Sequence, residues 1–219
     1  YLFLPQDKTD EFVAYARRLV DERYPDLNGP DYTAIINQRA YDRLTAMLED
    51  ARGKGATVVN LAPDQKPDAA RRKLAPHIIL DVADDMTILQ EEIFGPLLPI
   101  KPYCNPEEVI EYVNGHERPL AFYPFTNDKR LAERYITRII SGSVGVNEAI
   151  LQVGQHDLPF GGVGASGMGH YHGYEGFLTF SKLRPVFQQG RISSIQVALQ
   201  PPYGTRARRA LDWMFSLRG

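Results

Sequence analysis

The chain has 219 residues, 43% of them hydrophobic and 24% charged, an ordinary globular profile long enough to bury a core as one domain or two small ones. With 25 Lys and Arg against 27 Asp and Glu and a formal net charge of -2, no basic stripe dominates, which argues against a nucleic-acid partner. A single cysteine rules out an internal disulfide and fits a reducing, cytoplasmic setting, and no apolar run approaches the roughly 18 residues that a membrane span requires.

Tyr1-Leu2-Phe3-Leu4-Pro5 is an apolar run with neither an initiator Met nor the charged start of a signal peptide. It reads as a strand, and the chain is expected to start in mid-domain. Asp7 is the expected N-cap of a helix over about 8–24, with Phe12, Ala16, Leu19 and Val20 on one face. Tyr24-Pro25 and Asn28-Gly29-Pro30 stop it. A second helix follows Asn37, carrying Tyr41, Leu44, Leu48 and Ala51, and ends at Gly53 or Gly55. Thr57-Val58-Val59 reads as a strand, 61–72 as an exposed loop and 74–82 as extended chain.

Leu97 to Tyr103 is a further apolar run. Asn105-Pro106 opens a helix that buries Val109, Ile110 and Val113 and stops at Gly115. A strand is expected over Leu120–Phe125, although Pro124 removes a ladder donor there. A helix over about 128–139 and a strand over Ser143–Asn147 follow. This alternation predicts an α/β fold, a mostly parallel sheet with crossover helices. Beyond 150 the chain is glycine-rich to Gly169, then helical near 172–179. Its last 19 residues interleave Arg206, Arg208, Arg209 and Arg218 with Leu211, Trp213, Met214, Phe215 and Leu217. They read as a basic amphipathic helix: a solvated face with its apolar side packed on the protein, or a peripheral membrane contact.

Four features could carry chemistry. Gln90-Glu91-Glu92-Ile93-Phe94-Gly95-Pro96 sets two carboxylates before an aromatic ring and a turn. A carboxylate there can accept hydrogen bonds from sugar hydroxyls, and the ring can stack on a flat heterocycle. Equally, it reads as a charged turn with Phe94 in the core. Gly162-Val163-Gly164-Ala165-Ser166-Gly167 matches the dinucleotide-binding G-x-G-x-x-G, but no convincing strand precedes it and no acidic residue stands about 20 positions on. It is better read as a loop where backbones pass closely and positive φ is needed. Cys104 precedes a helix N-terminus, where a thiolate would be favoured, but an incidental thiol is the simpler reading. His77, His116, His156, His170 and His172 match no common metal spacing, His170-x-His172 with Glu175 included, and read as solvated or structural.

The Gln90–Pro96 stretch resembles the EEIFGP motif of the aldehyde dehydrogenase superfamily. Leu158-Pro159-Phe160-Gly161-Gly162-Val163-Gly164-Ala165-Ser166-Gly167-Met168-Gly169 resembles the LPFGG-x-x-x-SG-x-G segment that follows it in that family, at a similar separation. Gly169-His170-Tyr171-His172-Gly173 and Phe177-Leu178-Thr179-Phe180-Ser181-Lys182 look like the class 3 branch. Pro201-Pro202-Tyr203-Gly204 looks most like its bacterial coniferyl aldehyde dehydrogenase members.

This resemblance implies an aldehyde dehydrogenase catalytic-domain fold over residues 1–182, starting just after the nucleophile, with 183–219 as a returning C-terminal segment. It implies NAD or NADP as cofactor, with Glu92 on the nicotinamide ribose hydroxyls and Phe94 beside the ring. Asn147 to His156 would border the aldehyde pocket, and Phe160 would lie near the catalytic centre. No catalytic residue is then expected in this chain; the nucleophile and general base would lie upstream, and Cys104 follows the wrong element to be that nucleophile. The expected partners are a small-molecule aldehyde, aromatic or medium-chain, and a second copy in a homodimer, with no nucleic acid and no metal. Two other readings stand beside this one: a catalytically inactive module acting in folding or oligomerisation, and an acylating relative that passes its acyl group to coenzyme A.

Overall fold

The computed structural model describes residues 1–191, 200–201 and 203–216. In chain order the elements are β1 (Leu2–Pro5), α1 (Thr9–Arg23), α2 (Gln38–Gly53), β2 (Thr57–Asn60), β3 (His77–Leu80), α3 (Thr87–Gln90) and β4 (Leu97–Tyr103). There follow α4 (Pro106–Gly115), β5 (Ala121–Phe122), α5 (Lys129–Arg138), β6 (Ser143–Val144), α6 (Gly173–Thr179) and α7 (Thr205–Ser216). Short 3-10 turns occupy Gln6–Lys8, Ala69–Arg71 and Leu151–Gly154.

Four strands form one sheet in the order β1-β4-β3-β2, and β5 and β6 form a second. The β1–β4, β4–β3 and β5–β6 pairs are parallel, and β2 joins antiparallel to β3. The mostly parallel α/β arrangement expected from the sequence is therefore present. Strand alternation divides the core between two faces. Ile79 and Leu97 face α2, where Leu44, Met47, Leu48 and Ala51 pack on them. Their neighbours Ile78 and Ile100 face α1, against Phe12, Val13, Ala16 and Val20. Phe3 and Tyr103 pack against a further cluster, formed by Val109, Ile110 and Val113 of α4 with Tyr135 and Ile139 beside them. Each fully buried leucine of this kind stabilises the fold by roughly 2 kcal/mol relative to leaving it in water.

Helix starts follow local chemistry. The side chains of Asn37, Asn105 and Asp128 accept backbone N–H bonds from Ala40, Glu107 and Arg130 respectively, at 2.8–2.9 Å. Asp7 does not act this way. It lies inside a 3-10 turn, and α1 begins two residues later, after Lys8, with no side-chain cap.

Other boundaries also differ. The loop 61–72 contains the Ala69–Arg71 turn, capped by the Asp68 carboxylate, and the 74–82 stretch narrows to β3. The strands expected over 120–125 and 143–147 shrink to two residues each. Their pairing nevertheless runs further. Ser143, Gly145 and Asn147 donate to the carbonyls of Leu120, Phe122 and Pro124 at 2.9–3.0 Å. Pro124 has no N–H to return, so the ladder there runs in one direction only.

Helix α7 buries Ala207, while Leu211, Trp213 and Phe215 stay exposed, so the expected packing of its apolar side is not found. Pro202, Leu217 and Arg218 lie outside the described residues. Among the described residues no helix is long and apolar enough to cross a membrane.

His77 opens β3 and is buried, with Nδ1 2.8 Å from the Ala75 carbonyl. Burial lowers its pKa below the ordinary 6.5. The unfolded chain therefore takes up this proton more readily than the fold does. Its contribution to stability is complete above pH 6.5 and is lost as pH falls through that value toward the lower folded pKa. His77→Asn keeps a donor at the position of Nδ1 for Ala75 without titrating. Urea midpoints measured down the acid range are expected to fall less steeply for the variant than for the parent.

Candidate functional site

The segment between α3 and β4 is built on α2. The Asp50 carboxylate accepts the Thr87 N–H at 2.8 Å, which fixes the start of α3. The Lys54 ammonium, also at 2.8 Å, and this N–H hold the Asp50 carboxyl below the usual carboxylate range. Two helical turns before Asp50, Arg43 reaches under the next loop. Its Nη1 donates to the Glu92 carbonyl at 2.9 Å and its Nη2 to the Ile93 carbonyl at 2.7 Å. The Glu91 carboxylate lies 3.9 Å from the same guanidinium.

Leu44, the next residue of α2, sets the turn that follows. A Cβ on Gly95 would lie 2.5 Å from Leu44 Cδ1, so glycine lets the loop rest on that buried side chain and any larger residue would require Leu44 to shift. Ile93 packs toward the α2 core, while Phe94 turns the other way at φ 44 and is 78% exposed. Phe94 is thus not a core residue. Positive φ is uncommon for a bulky side chain and marks a conformation imposed by its surroundings. Glu92 is exposed beside it. The loop therefore presents a carboxylate acceptor and a free aromatic face together, a donor-free set that fits a vicinal diol joined to a flat ring.

The glycine-rich segment is a tight double-backed loop. Phe160 and Tyr171 exchange N–H···O bonds of 2.9 and 3.0 Å, and Gly164 bridges to Gly167. A Cβ on Gly161 would lie 2.0 Å from the Gly169 carbonyl oxygen, and one on Gly162 would lie 2.1 Å from that of Ser166. One on Gly142 would meet the Gly161 carbonyl oxygen at 2.2 Å. Gly164, Gly167 and Gly169 have positive φ. The Ser166 hydroxyl closes the turn, accepting the Val163 N–H at 2.9 Å. These glycines serve backbone contact, and no helix of the dinucleotide-binding kind starts there.

The remaining residues singled out by the sequence lie around this loop. Asn147 has φ 55 and turns its amide onto Thr126, accepting its N–H at 2.7 Å and donating to its carbonyl at 3.0 Å. Phe160 packs edge-on to Tyr171, Tyr171 to His172, and His172 to His156, with centroids 5.6, 4.4 and 5.5 Å apart. So His156 and Phe160 share one aromatic chain, and Asn147 holds the base of the loop that leads to it. Gln152 donates to the Tyr123 hydroxyl at 2.8 Å. Among the described residues, two buried side-chain atoms lack hydrogen-bond partners: Gln152 Oε1 and His172 Nδ1. Both belong to this loop cluster, and such atoms in a native fold call for an explanation.

The site residues thus fall into two groups, the 91–96 loop and the 147–172 cluster. Among the described residues no hydrogen bond or ring contact joins them. Cys104 is a free, exposed thiol at the far end of β4, donating to Gln6 Oε1 at 2.9 Å. Among the described residues no cluster of His, Cys, Asp or Glu could hold a metal ion. Sequence reasoning missed Arg43, and it covered Gln152 and Tyr171 only as members of longer stretches, without the contacts they make. The one signal for Arg43 is a cation bordering the apolar stripe of α2, which is weak.

Fold and motifs together define an α/β enzyme-type domain, and the chain belongs to the aldehyde dehydrogenase family, whose model matches residues 2–186. It is 46% identical over 219 residues to the coniferyl aldehyde dehydrogenase of Pseudomonas sp. (strain HR199 / DSM 7063), covering 99% of this chain and 46% of that protein. A probable coniferyl aldehyde dehydrogenase of Caulobacter vibrioides is 45% identical, covering 96% of this chain and 44% of the relative. Aldehyde dehydrogenase family 3 member A2 of Rattus norvegicus is 38% identical, covering 92% and 41%. Among solved structures, the substrate-bound state of Staphylococcus aureus AldH superposes with TM-score 0.76 at 31% identity, covering 98% of this chain and 46% of that one. The chain therefore spans less than half the length of the curated relatives it matches.

Two substitutions test the loop architecture. Gly161→Ala forces a methyl into the Gly169–His170 main chain and is expected to destabilise by about 3 kcal/mol in urea unfolding. Asn147→Gly keeps the positive φ and removes the two Thr126 bonds, costing about 2 kcal/mol. Asn147→Ala adds backbone strain and is expected to cost more than the glycine variant by about 1 kcal/mol.

Proposed function

We propose that this chain is part of the catalytic domain of an NAD(P)-dependent aldehyde dehydrogenase that oxidises an aromatic or medium-chain aldehyde to its carboxylic acid. Residues 1–182 form the catalytic-domain portion in this reading, and 183–219 the returning C-terminal segment. The observation that carries it is the 91–96 loop, which presents the Glu92 carboxylate and the exposed Phe94 ring on a rigid support. In the family, those two positions meet the nicotinamide end of the cofactor.

When bound, the cofactor supplies the hydride acceptor. This chain's residues do the holding. Glu92 takes hydrogen bonds from ribose hydroxyls on its carboxylate oxygens. Phe94 offers a ring face that limits how the neighbouring heterocycle can turn. The 147–172 cluster forms part of the wall toward the aldehyde, with His156 and Phe160 in it and Asn147 fixing its approach. The unpaired Gln152 Oε1 and His172 Nδ1 support this reading, because buried unpaired polar atoms gather where a ligand or a neighbouring segment completes the structure. The aromatic part of the substrate class is supported by the coniferyl aldehyde dehydrogenases among the relatives, whose sequences match nearly all of this chain, and the medium-chain part rests on the class 3 resemblance.

The nucleophile and the base that activates water are assigned to the part of the family that this chain does not cover. The 219-residue chain alone is therefore expected to form no NAD(P)H from aromatic or aliphatic aldehydes. The full-length enzyme carrying it, built if needed on the matching remainder of the Pseudomonas sp. relative, is expected to turn over aromatic aldehydes. Turnover by the isolated chain that disappears in Cys104→Ala would overturn the assignment of the nucleophile.

A further inference from the structure

We propose that Arg43 is a positioning residue for the cofactor clamp, setting where Glu92 and Phe94 stand; the proposal rests on the reading of those two residues given above. Arg43 is far from any reacting group in the sequence motifs, 49 residues before Glu92, and belongs to a helix on the other side of the loop. Its guanidinium donates to two consecutive carbonyls, those of Glu92 and Ile93, at 2.9 and 2.7 Å. A planar fork that holds two adjacent peptide oxygens fixes the orientation of the peptide between them, which a single contact cannot do.

The consequence lands on Phe94. The Ile93 carbonyl belongs to the peptide that leads into Phe94, so fixing it fixes one side of the residue whose φ is 44. Gly95 against Leu44 fixes the other side. Between these two contacts, made by adjacent residues of α2, the Phe94 side chain has no exit except outward. The Glu92 carbonyl is tied in the same grip, so the carboxylate and the ring share one foundation. Without Arg43 the loop can relax the positive φ, and the aromatic face is no longer presented before the ligand arrives. Cofactor affinity then falls, because ordering the loop is charged to binding.

Arg43 is not a core residue. Its side chain remains 31% exposed, and the packing of α2 rests on Leu44, Met47, Leu48 and Ala51. Arg43→Met keeps the length and the Met47 contact region while removing both donors. Arg43→Lys keeps the charge but can serve only one carbonyl well. The 219-residue chain serves for hydrogen exchange at residues 92–95 and for thermal unfolding. The full-length enzyme carrying it serves for NADH Kd by fluorescence titration and for kcat and KM. Glu92→Gln is the control.

The expected result is faster exchange at 92–95 in Arg43→Met and a Kd for NADH weakened about tenfold, with Arg43→Lys between it and the parent. The Tm is expected to shift little, and kcat less than KM for the cofactor. If Glu92→Gln weakens NADH binding and Arg43→Met does not, the positioning role is wrong and the clamp reading survives. If neither variant changes NADH binding, the clamp reading fails and takes the proposal with it. A lower Tm with unchanged Kd in Arg43→Met also overturns the proposal, leaving Arg43 as a structural tie.

Discussion

Strand β4 is the constraint on which the rest of this chain depends. It pairs in parallel with β1 on one side and β3 on the other. Leu97 packs toward α2 and Ile100 toward α1, so both layers of helices are referenced to this one strand. Whatever immediately precedes β4 inherits that reference. The Glu92–Phe94 loop is such a segment, tied at its far end by the Pro96 carbonyl, which accepts the His77 N–H at 2.8 Å. A recognition loop attached to an edge strand would move with fraying; this one is attached to a strand paired on both sides.

Much of that framework was legible in the sequence. The helices at Asn37, Asn105 and Asp128 announce themselves by a capping side chain followed by apolar residues at helical spacing. The spacing picks out the buried residues of α4, and in α2 Leu44, Leu48 and Ala51, but it takes Tyr41, which is only half-buried, and passes over Met47, which is fully buried. Signals of this kind are local, and local chemistry decides them. Asp7 fails for a related reason: a preference for capping cannot compete once the chain leaves β1 in a 3-10 turn.

What was not legible depends on residues distant in sequence. Nothing near Phe94 says that its φ is positive, because the cause is a guanidinium and a leucine about 50 positions earlier. The antiparallel β2 could not be told from a parallel strand by its short apolar run. The sequence places Asn147 at the start of the stretch bordering the pocket but does not show that both polar ends of its amide meet the backbone of Thr126. The glycines of 161–169 were readable as a close passage of backbones, but not which backbones pass. The two groups of site residues were identified by family motif, and the structure adds the supports beneath each.

The crossing at Gly142, Gly161 and Gly162 has a consequence for how this sequence can change. Each of these residues faces a carbonyl oxygen at a separation that one extra carbon would abolish. The opposing groups are main chain, which has no alternative rotamer to adopt. A side chain elsewhere can be enlarged and then accommodated by trimming its neighbour, in two steps of modest cost. Here no neighbour can be trimmed. Sequence drift around the 142–169 crossing is therefore confined to the residues between the glycines, and novelty there has to come from exposed positions such as Val163, Ala165 and Met168.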